Sequence, residues 1–154
     1  MYAFGQEVAV LSEENLLENP EAETPGINLT QLGTQNTAEI FQYQNFGSQL
    51  SSQQQGEFNQ LLIIQSGTGY IQTWQLGRSN DISTYLEGTD IGVQLYQSGE
   101  DNLINQWSNA DYTTYQFVQN GTNNFIEHIN SSGNNMSLYI LQTGNNMSIS
   151  IFTR

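Results

Sequence analysis

One six-residue motif recurs through this chain and governs what it can fold into. It reads QLGTQN (31–36), QQGEFN (54–59), QLGRSN (75–80), QSGEDN (97–102), QNGTNN (119–124) and QTGNNM (142–147), with Met147 in the final Asn place. The copies are evenly placed along the chain. Their glycines are Gly33, Gly56, Gly77, Gly99, Gly121 and Gly144, and weaker turns between them centre on Gly67, Gly88, Ala110 and Gly133. The module is therefore about 11 residues long and used in pairs, and a period of about 22 residues is the signature of stacked repeats. A unit this short cannot bury a face alone, so neighbouring units must cover one another.

Each half-unit joins a polar glycine-bearing turn to a short segment such as NDISTYL or NLINQWS. These segments are rich in β-branched and aromatic residues and bounded by turn residues, which is a strand pattern. Glycine recurring at nearly every turn, with Ala110 the exception, opposes helix. The expected fold is all-β: a two-sheet β-solenoid with strand–turn–strand–turn rungs of about 22 residues and cross-β stacking. Rungs begin at Asn36, Asn59, Asn80, Asn102, Asn124 and Met147. At about 4.8 Å per strand the stack is roughly 24 Å tall.

Alternation along a strand tests this register. Two positions after each rung start stand Ala38, Leu61, Ile82, Ile104, Ile126 and Ile149, all apolar. Two further on come Ile40, Ile63, Thr84, Gln106, His128 and Ile151. On the second strand, Leu50, Ile71, Val93, Tyr115 and Leu138 alternate with Ser52, Thr73, Leu95, Phe117 and Ile140. Both sets describe a narrow core. The motif amides share its parity, so Gln31, Gln54, Gln75, Gln97, Gln119 and Gln142 should form one ladder, and Asn36, Asn59, Asn80, Asn102 and Asn124 a second. Stacked amides can hydrogen-bond from rung to rung, and glycine permits the tight turns between strands. By the same parity Phe41, Ile64, Tyr85, Trp107, Ile129 and Phe152 face outward as an apolar stripe. Gln53, Trp74, Tyr96, Val118 and Leu141 make a parallel row on the other strand. A continuous stripe of this kind marks either stacking between rungs or a contact surface.

Composition excludes several functions. Only Arg78 and Arg154 are basic and the net charge is −13, which leaves nothing to neutralise phosphates, so nucleic acid is not an expected partner. There is no Cys, hence no disulfide framework or thiolate metal site. Seven Phe, eight Tyr and two Trp argue against a polar disordered chain. No apolar run reaches the roughly 20 residues of a membrane-spanning helix. No nucleophile–base pair or catalytic dyad is legible, so an enzyme is not expected, and no cofactor is implied. His128 is the lone histidine and is read as a hydrogen-bonded structural residue. Asp90, Glu100, Asp101 and Asp111 lie in turns without the regular Asp spacing of calcium-binding rolls, and are read as solvated charge. An ice-binding solenoid needs an outer Thr ladder, which these outward positions lack.

The pattern Q-x-G-x-x-N-x-A-x-x-x-Q resembles the curlin repeat of bacterial curli amyloid. Residues 31–42, QLGTQNTAEIFQ, carry every fixed position, and 54–65, QQGEFNQLLIIQ, carry Leu61 in place of Ala. Later rungs lose the closing Gln to Leu86, Ser108, Asn130 and Thr153. The resemblance covers 27–154. Within the family, FNQLLIIQSGT (58–68) and ISIFTR (149–154) are similar to the minor, nucleating subunit, although the last repeats here have only Arg154 as a basic residue. The resemblance implies a secreted cell-surface fibre subunit that nucleates polymerisation, with the major fibre-body subunit as the alternative. It also implies as partners other copies of itself, the other curlin subunit, the curli secretion channel with its accessory factors, and the outer-membrane surface. In that family the N-terminal segment serves export. Residues 1–26, acidic and holding Pro20 and Pro25, fit a flexible segment of that kind. The spacing of EVAVLSEENLLEN also allows a short capping helix.

Overall fold

The computed structural model describes residues 7–13, 26–43, 47–131 and 135–154, with the backbone alone described over 7–13. Among the described residues every regular element is a strand: β1 (Glu7–Glu13), β2 (Gly26–Thr34), β3 (Thr37–Tyr43), β4 (Gln49–Glu57), β5 (Gln60–Arg78), β6 (Asp81–Glu100), β7 (Leu103–Asn109), β8 (Thr114–Thr122), β9 (Phe125–Asn130), β10 (Ser137–Asn145) and β11 (Ser148–Thr153). β5 and β6 are each long enough to run along one face, round the bend and along the other. The pairing is parallel throughout. One ladder runs β1-β3-β5-β6-β7-β9-β11, and the other runs β2-β4-β5-β6-β8-β10. The result is the expected β-solenoid of about 6 turns with a spacing of ~22 residues.

Alternation dictates the core. β7 reads half-buried and buried by turns, with Ile104, Gln106 and Ser108 inside. Residues expected to face one another do so, for example Leu61↔Ile82↔Ile104↔Ile126 along one ladder and Ile71↔Val93↔Tyr115 along the other. The middle of the stack is sealed, whereas Ile27, Leu29, Leu138, Ile149 and Ile151 are only partly buried against it. Those residues lie on β2, β10 and β11, each of which is paired on one side only among the described residues.

Turns are part of the stack. Backbone bonds join them from rung to rung, as in Ser79 N–H to Glu57 O at 2.9 Å and Asp101 N–H to Arg78 O at 3.0 Å. Buried backbone groups need partners, so a turn of changed length would orphan its neighbours, and the period is held nearly constant. Where the period does change, the sheet accommodates it at a register shift between Gly67 and Gly69, with Gly67 facing Gly88 and Gly69 facing Ile91.

The expected N-terminal segment ends differently from the sequence reading. Its residues Glu7–Glu13 are a strand paired with β3, not a helix, and place Val8 against Ala38 and Val10 against Ile40. The alternation of EVAV suits a strand, and the free edge of β3 offers it backbone partners along its whole length. The sheet therefore starts before residue 27. Residues 1–6 and 14–25 of that segment, and the turn expected at Gly133, lie outside the described residues.

Candidate functional site

The motif glutamines form one rail. Gln54 Nε2 donates to Gln75 Oε1 at 2.8 Å, Gln75 to Gln97 at 3.1 Å, Gln97 to Gln119 at 3.0 Å and Gln119 to Gln142 at 2.9 Å, and Gln31 bonds Gln54 in the same way. A primary amide has two N–H donors. The second crosses to the facing strand: Gln97 Nε2 reaches Asp81 O at 2.8 Å and Gln119 Nε2 reaches Leu103 O at 3.1 Å. Gln54, Gln75, Gln97 and Gln119 thus each tie their rung to the next and clamp one ladder to the other. Burial raises the pKa of the Asp81 carboxyl above the usual Asp value.

The asparagines form the second rail. Asn59 Nδ2 donates to Asn36 Oδ1 at 3.0 Å, Asn80 to Asn59 at 3.0 Å, Asn102 to Asn80 at 2.9 Å and Asn124 to Asn102 at 3.0 Å. Each Oδ1 also accepts the backbone N–H one rung on, and each Nδ2 also donates to the next motif glycine, as Asn102 does to Gly121 O at 2.9 Å. The two rails point oppositely, since glutamines donate towards the C-terminal end and asparagines towards the N-terminal end. At the last rung Met147 stands where an Asn would be. Its backbone N–H still reaches Asn124 Oδ1, at 3.1 Å, but the rail stops there.

The glycines have a stronger reason than the turn alone. The φ of Gly99 is 118°, and a Cβ there would lie 2.0 Å from Gly121 O on the next rung. The same clash faces Gly33, Gly56, Gly67, Gly77, Gly88 and Gly121, all with positive φ. Gly144 has φ 133° but meets only Met147, at 3.7 Å. The fifth motif position is left-handed in every copy: Gln35, Phe58, Ser79, Asp101, Asn123 and Asn146 have φ of 52–59°. That conformation suits Asn, Asp and Gly. The residues found there in the last three copies are the signal that sequence reading passed over.

A further buried column shows in the sequence only as the loss of a closing Gln. Gln42 Nε2 donates to Gln65 Oε1 at 2.9 Å, and then Leu86 makes the column apolar. Ser108 and Asn130 follow, and both bond the buried Tyr115 hydroxyl, at 2.9 and 2.8 Å. An aromatic hydroxyl at a core position requires such partners, so Tyr115 was the available clue. His128 is inward and fully buried as expected, but it is not hydrogen-bonded: both ring nitrogens lack partners. It packs instead on Tyr115 and Phe117, at 4.8 and 5.6 Å between ring centres. Without a partner for its charge, burial lowers its pKa to about 4.

The outward stripe is continuous in register, Phe41↔Ile64↔Tyr85↔Trp107↔Ile129↔Phe152. It is less exposed than its outward parity suggested. Rung neighbours leave all but Phe152 half-buried, and Phe152 on the last rung is 59% exposed. Tyr85 and Trp107 stack with planes 9° apart and centres 6.2 Å apart. On the other ladder the outer amides also pair, with Gln94 donating to Gln72 at 2.9 Å.

The stack ends in open strand edges. No strand among the described residues pairs the far side of β10, β11, β1 or β2. A strand edge is a row of unpaired N–H and C=O groups able to accept another strand. Among the described residues no group of three or more His, Cys, Asp or Glu side chains is placed to hold a metal ion. The chain matches no family model, no curated protein and no solved structure.

Proposed function

We propose that this protein is a structural subunit of an extracellular, curli-like amyloid fibre. The observation that carries the proposal is the pair of amide rails running through a solenoid whose terminal strands are open at the edge. In most folded proteins such edges are blunted by charge, proline or a covering segment. Here β10 and β11 present full-length strands in the register of the strands beneath them. An edge of this kind adds another strand by backbone pairing, with side-chain positions giving specificity. A contact between unlike ends does not close on itself and so builds a filament.

The likeness of residues 31–42 and 54–65 to the curlin repeat supports a secreted subunit on the bacterial surface, passed through a dedicated channel and joined to other curlin chains. The likeness of 58–68 and 149–154 to the minor subunit favours a nucleator that starts fibres at the outer membrane, where the apolar stripe supplies adhesion. The test adds trace amounts of this chain to a purified major curlin and follows thioflavin fluorescence. Loss of the partner's lag phase supports the nucleator. Rapid polymerisation alone without any effect on the partner supports a fibre-body subunit. Failure to form or seed fibres under any condition overturns the proposal.

A further inference from the structure

Counted from β2, the solenoid is six complete rungs. Each strand of the second ladder is followed by a strand of the first: they begin at 26 and 37, 49 and 60, 70 and 81, 92 and 103, 114 and 125, and 137 and 148. The end made by β2 and β3 is thus complementary to the end made by β10 and β11. Stacked in continuous register, β10 of one copy would place Gln142 against Gln31 of the next and Gly144 against Gly33. β11 would place Ile149 against Ala38 and Ile151 against Ile40. The Gln rail then runs on, since Gln142 sits as Gln119 does, donating to the facing Phe125 O at 3.1 Å. The space over Gly144 is open for the next turn.

β1 does not belong to this count. Glu7 pairs with Thr37 across a longer stretch of chain than separates Thr37 from Gln60 or Gln60 from Asp81, so β1 is out of step with the repeat. It nevertheless occupies the outer edge of β3, which is the edge β11 of an adjoining copy must pair. β1 covers that edge over its whole length, while no strand among the described residues pairs the outer edge of β2 beside it. Val8 and Val10 fall in the register that Ile149 and Ile151 would take. Met147 in the Asn place deprives the incoming strand of an amide contact to Asn36, which leaves a strand such as β1 able to compete.

We propose that β1 is a displaceable internal cap: it holds the N-terminal end of each subunit closed, and a second copy of this chain joins by replacing β1 with its own β11. The cap rests on the fibre-subunit reading. Affinity for a site occupied by an internal competitor falls by the fraction of time the site is free, and the strand that binds from another copy is of the kind that already binds within the chain.

The experiment measures elongation from preformed, sonicated fibres of this protein. Ala9→Pro with Leu11→Pro removes β1 from the sheet by deleting N–H donors that face β3 in this register, leaving the six rungs intact. If β1 is docked nine-tenths of the time, elongation of this variant is about tenfold faster. A Leu11→Cys, Phe41→Cys pair, opposite one another in register in a chain with no other Cys, locks the cap when oxidised. Elongation should then stop and return on reduction. Wild-type elongation rates in both the proline variant and the oxidised pair overturn the cap while leaving the fibre reading standing. Absence of fibres from wild type and variants alike overturns both.

Discussion

Replacing Asn102 with Ala interrupts the Asn rail at mid-stack. The side chain donates to Asn80 Oδ1 at 2.9 Å and to Gly121 O at 2.9 Å, and accepts from Asn124 N at 3.2 Å and Asn124 Nδ2 at 3.0 Å. These four bonds and a longer one to Ser98 O at 3.5 Å vanish, and neither a methyl group nor water can replace them, because Asn102 is 1% exposed. A buried hydrogen bond contributes about 1 kcal/mol net, and more when its partner is left unsatisfied. Asn124 N and Gly121 O lose a partner in this way, so the expected loss is about 4 kcal/mol. The outer control is Gln94→Ala, which removes one half-exposed bond to Gln72 and costs about 0.5–1 kcal/mol. Guanidinium unfolding followed by Trp fluorescence measures the difference. With a slope of roughly 4 kcal/mol per molar, the midpoint should fall by about 1 M for Asn102→Ala and by about 0.2 M for Gln94→Ala. Equal shifts for the two variants would refute the claim that the inward amides, rather than amide stacking in general, hold the rungs together.

Gly99→Ala places a Cβ 2.0 Å from Gly121 O and should prevent native folding, seen as loss of strand signal in circular dichroism. Gly144→Ala meets only Met147, so it should cost the fold about 1 kcal/mol from its positive φ while slowing fibre elongation far more than that cost explains. For His128, the unfolded chain takes up a proton near pH 6.5 that the folded chain refuses until about 4. Stability is therefore complete above 6.5, declines as pH falls to 4 and levels off below, by about 3 kcal/mol at most. Asp81, with its pKa raised, contributes in the opposite sense, its stability falling as pH rises through its titration. Denaturation series on wild type and His128→Leu should differ in slope only between pH 6.5 and 4. Changing Tyr85, Trp107 and Ile129 together to Thr removes the Tyr85–Trp107 stack, worth about 0.5–1.5 kcal/mol. Single fibres should persist in electron micrographs while bundling and retention on cells fall. Unchanged bundling and retention would make the stripe a stacking feature alone.

The period and parity of the chain by themselves determine the solenoid. Glycine at a near-constant interval, with apolar residues recurring at inward positions between turns, leaves one way to bury the inner faces of both ladders. The amide rails follow from that register, because Gln97 and Asn102 fall on the inward side and buried amides must pair. Tertiary structure decided what depends on neighbours from other rungs. The necessity of Gly99 comes from the Gly121 carbonyl, which only stacking brings beside it. His128 has no hydrogen-bond partner because the residues around it are Tyr115 and Phe117, while the Tyr115 hydroxyl is taken by Ser108 and Asn130. The stripe from Phe41 to Ile129 is half-buried because parity gives direction but not how far adjacent rungs cover one another. The strand at Glu7–Glu13 carries no motif, so no repeat reveals it. Its EVAV alternation becomes a strand only because the edge of β3 supplies the hydrogen bonds that an isolated strand lacks.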